Sequence, residues 1–132
     1  MTSKFNIAEF ELQDTSTMTV QNATGTGDLI VDGKPVTIEL YGPGSDVVRQ
    51  LEHREAQESA TRMRKMLQGK ADPVEQEKWQ VSKLVRRTKS ISENFPLSPE
   101  DLYSNRKLVY IHRQVIKHLD DEANFSKAST TN

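Results

Sequence analysis

The chain is 132 residues long, which suits one domain burying roughly two-thirds of its unfolded surface. Only 34% of residues are hydrophobic and 28% are charged, so the core is lean; the 18 basic and 19 acidic side chains nearly cancel, which removes any bulk electrostatic case for DNA or a membrane surface. The absence of cysteine excludes disulfides and thiolate metal sites, and no apolar run approaches the ~20 residues that span a bilayer, so the expectation is a soluble intracellular protein.

Residues 1–14 place Phe5, Ile7, Phe10 and Leu12 among polar neighbours, the pattern of a flexible arm or an edge strand. Met18 and Val20 alternate with Thr17, Thr19 and Gln21, as in a half-buried strand. Asn22 to Asp28 is turn material. Leu29-Ile30-Val31 and Val36-Thr37-Ile38-Glu39-Leu40 flank Asp32-Gly33, a dipeptide that tolerates the positive φ of a tight hairpin turn. Val36, Ile38 and Leu40 then share one face.

Gly42-Pro43-Gly44 closes the strands, and Ser45-Asp46 opens a long charged helix that Gly69 stops. Asp72-Pro73-Val74-Glu75 starts another, with proline at its first position and a reciprocal cap. Its stripe is Val74, Val81, Leu84, Val85 and Thr88, and it ends before Asn94-Phe95-Pro96. Ser98-Pro99-Glu100-Asp101 is a third helix start, with two carboxylates over the positive helix end. A fourth follows at Ser104 or Asn105 and carries the stripe Leu108, Ile111, Val115 and Leu119.

Strands first and helices after make an α+β chain: an N-terminal antiparallel hairpin or three-stranded sheet, then a bundle of three to four helices. The expected domain covers 15–123, with strands over about 16–41, helices over about 46–68, 73–92, 99–104 and 106–121, and a disordered tail over 124–132.

Chemistry is sparse. His112 and His118 are six apart, on different helix faces, and His53 is remote, so the histidines make no metal site. Asp120-Asp121-Glu122 lacks the loop geometry of a calcium site. Gly25-Thr26-Gly27 and Gly42-Pro43-Gly44 lack the Gly-Lys-Ser/Thr ending of a phosphate loop and read as turns. No serine has an elbow motif or an evident partner histidine, so catalytic, cofactor-binding and metal residues are all expected to be absent. The cluster Lys83, Arg86, Arg87 and Lys89 suits a solvated helix face better than a phosphate grip.

Trp79 stands apart from the stripe of its helix, about 140° round from Val74, with Lys83 and Arg86 on its face. A partner contact there competes with cover by another helix. The residues assigned to partner binding are Trp79, Leu84, Tyr110 and Ile111. Capped helices with modest apolar stripes suit a module that covers another protein's hydrophobic surface, with a client helix laid in a groove.

The run Gly33-Lys34-Pro35-Val36-Thr37-Ile38, then Leu40-Tyr41-Gly42-Pro43-Gly44-Ser45-Asp46 before a charged helix, is followed by Phe95-Pro96-Leu97-Ser98-Pro99-Glu100-Asp101-Leu102-Tyr103, Tyr110-Ile111, Gln114-Val115 and Ala123-Asn124-Phe125. From about Asp28 onward the chain resembles the small tail assembly chaperone-type proteins of long-tailed bacteriophages and prophages. The resemblance implies a non-enzymatic protein without cofactor. It implies binding to the tape measure protein, which such chaperones keep soluble while tail-tube subunits polymerise around it. A frameshifted longer form that recruits the tail-tube protein is typical of the family. So are residence in the bacterial host cytoplasm and absence from the mature virion, and many copies along a long client make weak self-association an expectation. The alternative is a minor structural component of the tail or head; a small nucleic-acid-binding regulator comes third.

Overall fold

A computed structural model describes residues 5–127. The chain is α+β. Strand β1 (Thr15–Thr19) pairs antiparallel with β4 (Thr37–Tyr41), Met18 opposite Ile38 and Thr15 opposite Tyr41. Between them β2 (Ile30–Val31) and β3 (Lys34–Pro35) form a separate two-stranded ribbon. Its turn is Asp32-Gly33, with φ of 52° and 76°, the paired positive angles that match a hairpin's twist.

The third strand of the main sheet is not the one the sequence suggests. α2 (Pro73–Arg87) stops five residues short of the expected boundary, and Thr88–Ile91 forms β5 on the other edge of β4, giving the order β1-β4-β5. A strand therefore follows two helices, and the expected order of strands first is corrected. No glycine or proline marks the switch. Thr88 is buried, its hydroxyl donating back to the Leu84 carbonyl and lying 2.6 Å from the Tyr103 hydroxyl, which fixes the chain as it leaves the helix.

One sheet face builds the core. Met18, Val20, Val36, Ile38 and Leu40 are buried there against Leu102 and Tyr103 of α3 (Pro99–Ser104) and Ile111 and Val115 of α4 (Val109–Asp120). Val81, Leu84 and Val85 of α2 pack at its margin. Burial pushes the Tyr103 phenol up to about 12, against the opposing effect of its hydrogen bond with Thr88, so it stays protonated inside the core.

The helices begin and end where local chemistry allows. Ser45 accepts from Val48 N at 3.2 Å and donates to the Gly42 carbonyl at 2.7 Å, starting α1 (Asp46–Leu67). Gly69, at φ 70°, ends it with two bonds, Gly69 N to Met66 O and Lys70 N to Lys65 O, the paired closure of a Schellman motif. Asp72 caps α2 by accepting from Val74 N, but Glu75 turns away to Lys65 at 3.7 Å, so the cap is not reciprocal. Asn105 accepts from Lys107 N and opens a single 3-10 turn, Arg106–Leu108, ahead of α4.

Within the described residues the edge-strand alternative for the N-terminal end and the disordered start of the C-terminal tail are both corrected. Residues 5–14 hold no strand; a 3-10 turn, Ile7–Glu9, is capped by Asn6, and Phe5 stacks on Phe10. The expected tail from 124 is ordered at its start. Phe125, in the turn Glu122–Phe125, is fully buried and accepts from Gln13 N through its carbonyl at 2.7 Å. Gly42 makes room for its ring: a Cβ there would lie 2.7 Å from Phe125 Cδ1. Residues 1–4 of the expected arm and 128–132 of the expected tail lie outside the described residues.

Candidate partner-binding surface

α1 is an unusual helix for its length. Of its 22 residues only Val48 and Glu55 are buried, so its attachment to α2 is largely polar. Arg87 meets Glu55 with two parallel bonds of 2.8 and 2.7 Å. Arg86 meets Glu58 with two more, 2.8 and 3.2 Å, and reaches Glu55 at 3.5 Å. Burial raises the Glu55 carboxyl, but the Arg87 bonds and the nearby cations outweigh it and hold it below the usual range. Glu58 is held low by the Arg86 bond first, against some desolvation.

Trp79 lies in the same seam. Its indole Nε1 donates to Glu58 Oε1 at 3.2 Å, and Arg62 and Lys83 sit 4.5 and 4.6 Å from the ring centre. The face that sequence phase separated from the α2 stripe is covered by α1, and Trp79 is half-buried there. The guanidinium groups of the basic cluster are held by Glu55 and Glu58, while Lys89 lies 3.8 Å from Glu39.

Leu84 is placed where a partner can reach it. It lines an open groove of about 440 Å³ with Tyr41 from β4, Val48 from α1 and Ile116 and Leu119 from α4, together with the charged Glu52, Lys83, Arg87 and Asp120. Ile116 is 45% exposed at that groove. Sequence reasoning passed over Ile116; its place one residue after Val115, off the core phase, is the signal that marks it. Tyr110 is half-buried against the core. Ile111 is a correction: it is fully buried, four residues before Val115 on the core side of α4, and presents no surface to a partner.

The structure also joins two residues that the sequence left apart. Ser16 Oγ and His118 Nε2 are 3.0 Å apart and share a hydrogen bond, and the His118 ring meets Phe125 edge-on. Ser16 sits inside a regular strand whose backbone is paired with β4, without the strained turn of an activated nucleophile. Burial holds His118 below its ordinary value, opposed by Asp121. The folded state therefore binds this proton less readily than the unfolded chain, so stability is full above the unfolded value of ~6.5 and declines as pH falls below it. Urea midpoints are expected to drop between neutral and mildly acidic pH, and His118→Gln is expected to flatten that drop; an unchanged drop would assign it elsewhere.

His112 donates from Nε2 to the Leu102 carbonyl at 2.7 Å, and His53 is exposed. Among the described residues no group of three or more His, Asp or Glu is placed to hold a metal ion, and no helix is long and apolar enough to cross a membrane. Asn22 Oδ1 accepts from Thr26 N and the Thr24 hydroxyl, closing the Gly25-Thr26-Gly27 turn on itself. Comparison with models of known families, with curated proteins and with solved structures finds no match for this chain.

Proposed function

We propose that this protein is a tail assembly chaperone of a long-tailed bacteriophage, which binds the tape measure protein and keeps it soluble, without catalysing a reaction. The observation that carries the reading is the open groove in which Leu84 and the half-exposed Ile116 lie among charged side chains. Three helices and a strand end converge on it, and its mixed apolar and charged lining suits an amphipathic client helix. Such contact gains ~25 cal/mol per Å² of apolar area removed from water. The family resemblance suggests the identity of the client, and the groove supports helix-in-groove contact as its mode of binding.

The test is co-expression with a tape measure protein of a long-tailed bacteriophage. The expected result is a soluble, co-purifying complex, and its loss in Ile116→Glu, a change at a half-exposed position that leaves the core intact. A tape measure protein that stays insoluble, together with this chain in purified virions by mass spectrometry, would replace the chaperone reading with a structural role in the tail or head.

A further inference from the structure

Strand β1 lies at the end of the main sheet and pairs on one side only. Gly42 N donates to the Asp14 carbonyl and Val20 N to the Val36 carbonyl, so in this register Ser16 and Met18 turn their peptide groups toward β4. Thr15, Thr17 and Thr19 turn theirs the other way, and among the described residues no donor or acceptor meets them. Both ends of this edge are closed. Gln13 N donates to the Phe125 carbonyl, and Gln21 N donates to Gln114 Oε1 at 2.7 Å while Gln114 Nε2 donates back to the Gln21 carbonyl at 3.1 Å. The Gln114 amide thus makes the pair of bonds that a residue of a neighbouring strand would make.

A groove of about 550 Å³ follows the open stretch, with Thr17 and Thr19 on one side and Gln114, Lys117, His118 and Asp121 on the other. β1 lacks the devices that protect an exposed edge: its five residues hold no charge and no proline, and they pair with β4 in unbroken register up to Tyr41. The opposite edge is guarded, because β5 carries the exposed Lys89 and a register shift at Glu39/Leu40. The described C-terminal end leads away from β1, from Phe125 at Gln13 to Lys127, which donates to the Ala8 carbonyl.

We propose that the β1 edge takes an extended, uncharged segment of another polypeptide, rich in serine and threonine, as a further antiparallel strand. The open groups dictate the occupant. The outward N–H and C=O of Thr15, Thr17 and Thr19 recur every second residue, and an extended backbone presents matching acceptors and donors at that spacing. Side chains opposite Ser16 and Met18 point into the groove, where the Gln114 amide and the His118 imidazole suit hydroxyls. Lys117 and Asp121 flank it with opposite charges and favour neither sign. Side chains opposite Thr15, Thr17 and Thr19 stand on the outer face beside threonine, where β-branched neighbours pack well. This site shares no lining residue with the groove at Leu84, so it stands or falls apart from the client reading.

The probe is the blocked peptide acetyl-Gly-Thr-Ser-Thr-Ser-Thr-Gly-amide, titrated to about 1 mM into the isotope-labelled full chain and followed by amide NMR. Shifts are expected at Thr15, Thr17, Thr19 and Gln114, with slowed exchange of the threonine amides. Methylating the amide nitrogen of the central threonine is expected to weaken binding about tenfold, because that N–H faces the edge. Methylating a serine nitrogen, which faces away, is expected to change it by no more than about twofold. Thr17→Pro removes the outward N–H without breaking a bond to β4 and is expected to match the tenfold loss, whereas Thr17→Val keeps the N–H and binds as the wild type does. Absence of shifts at these residues, shifts that gather at Leu84 and Ile116 instead, or equal binding by the two methylated peptides would overturn the proposal. Dimerisation of the free chain with its β1 amides protected would give the edge to a second copy and overturn it as well.

Discussion

Phe125→Ala is expected to destabilise the protein by about 4 kcal/mol and to lower its melting temperature by roughly 10–15 °C. The side chain is fully buried, and its ring occupies the notch left by Gly42 while meeting the His118 ring edge-on. Truncation to alanine loses the transfer energy of the ring and opens a cavity that the rigid strand end at Gly42 cannot collapse to fill. The residue also sits beside the bond from Gln13 N to its own carbonyl, so the cavity loosens the junction of both chain ends. Phe10→Ala is the control: that ring is 70% exposed, and its removal is expected to change stability by no more than ~0.5 kcal/mol. Equal losses in the two variants, measured by urea unfolding, would sink the assignment of Phe125 to the core.

Phe125 is also where the sequence was hardest to read. It lies in a stretch rich in Ser, Thr and Asn, which by composition frays, and nothing nearby calls for an aromatic ring. The demand comes from Gly42, far away in the chain, where the missing Cβ leaves a slot. β5 failed to be legible for a related reason. Thr88 to Ile91 extend the apolar phase of α2 without a breaking residue, and their strand geometry is set by pairing with β4. In contrast, the Asp32-Gly33 turn, the proline-led helix starts and the Gly69 stop rest on local backbone chemistry, and they stand where the sequence places them.

The same division holds for the candidate surface. Helical phase singled out Trp79 as lying off the α2 stripe, which is correct, but phase alone does not name what covers it; Glu58 and Arg62 come from α1. Leu84 was legible as an apolar residue at the helix face, while its groove needs Tyr41, Val48 and Ile116 from three other elements. Ile111 and Val115, four apart, were read as one stripe, and that stripe turns wholly inward. Assigning one of its members to a partner mistook core for surface. Ser16 and His118 are joined across 102 residues and by tertiary structure alone.

Glu55→Ala is expected to cost about 3 kcal/mol, a large effect for one side chain on a mostly solvated helix. The Glu55 side chain is 8% exposed, and those of Arg87 and Arg86 are 16% and 18% exposed. Removing the carboxylate leaves Arg86 its bonds to Glu58 but strands Arg87, whose remaining acceptor is the Lys83 carbonyl. An uncompensated guanidinium in that seam is what costs, because the desolvation already suffered is no longer offset. Val48 is the only other buried residue of α1, so the loss is concentrated on that helix rather than shared by the sheet. Amide exchange is therefore expected to accelerate along α1 beyond Leu51 while Met18, Ile38 and Leu40 keep their protection. Trp79, the single tryptophan, sits in the same seam and is expected to red-shift in emission as Glu58 withdraws. Acid should act on the wild type in the same direction. Glu55 and Glu58 are held low, so their contribution is full above the ordinary glutamate range, ~4.3, and is lost as pH falls through their depressed values. Replacing Glu55 and Arg87 together by methionine removes charge and countercharge at once and is expected to recover most of the loss. If the double variant is as unstable as Glu55→Ala, or if exchange accelerates equally in the sheet, α1 is not held by this ion-pair clasp.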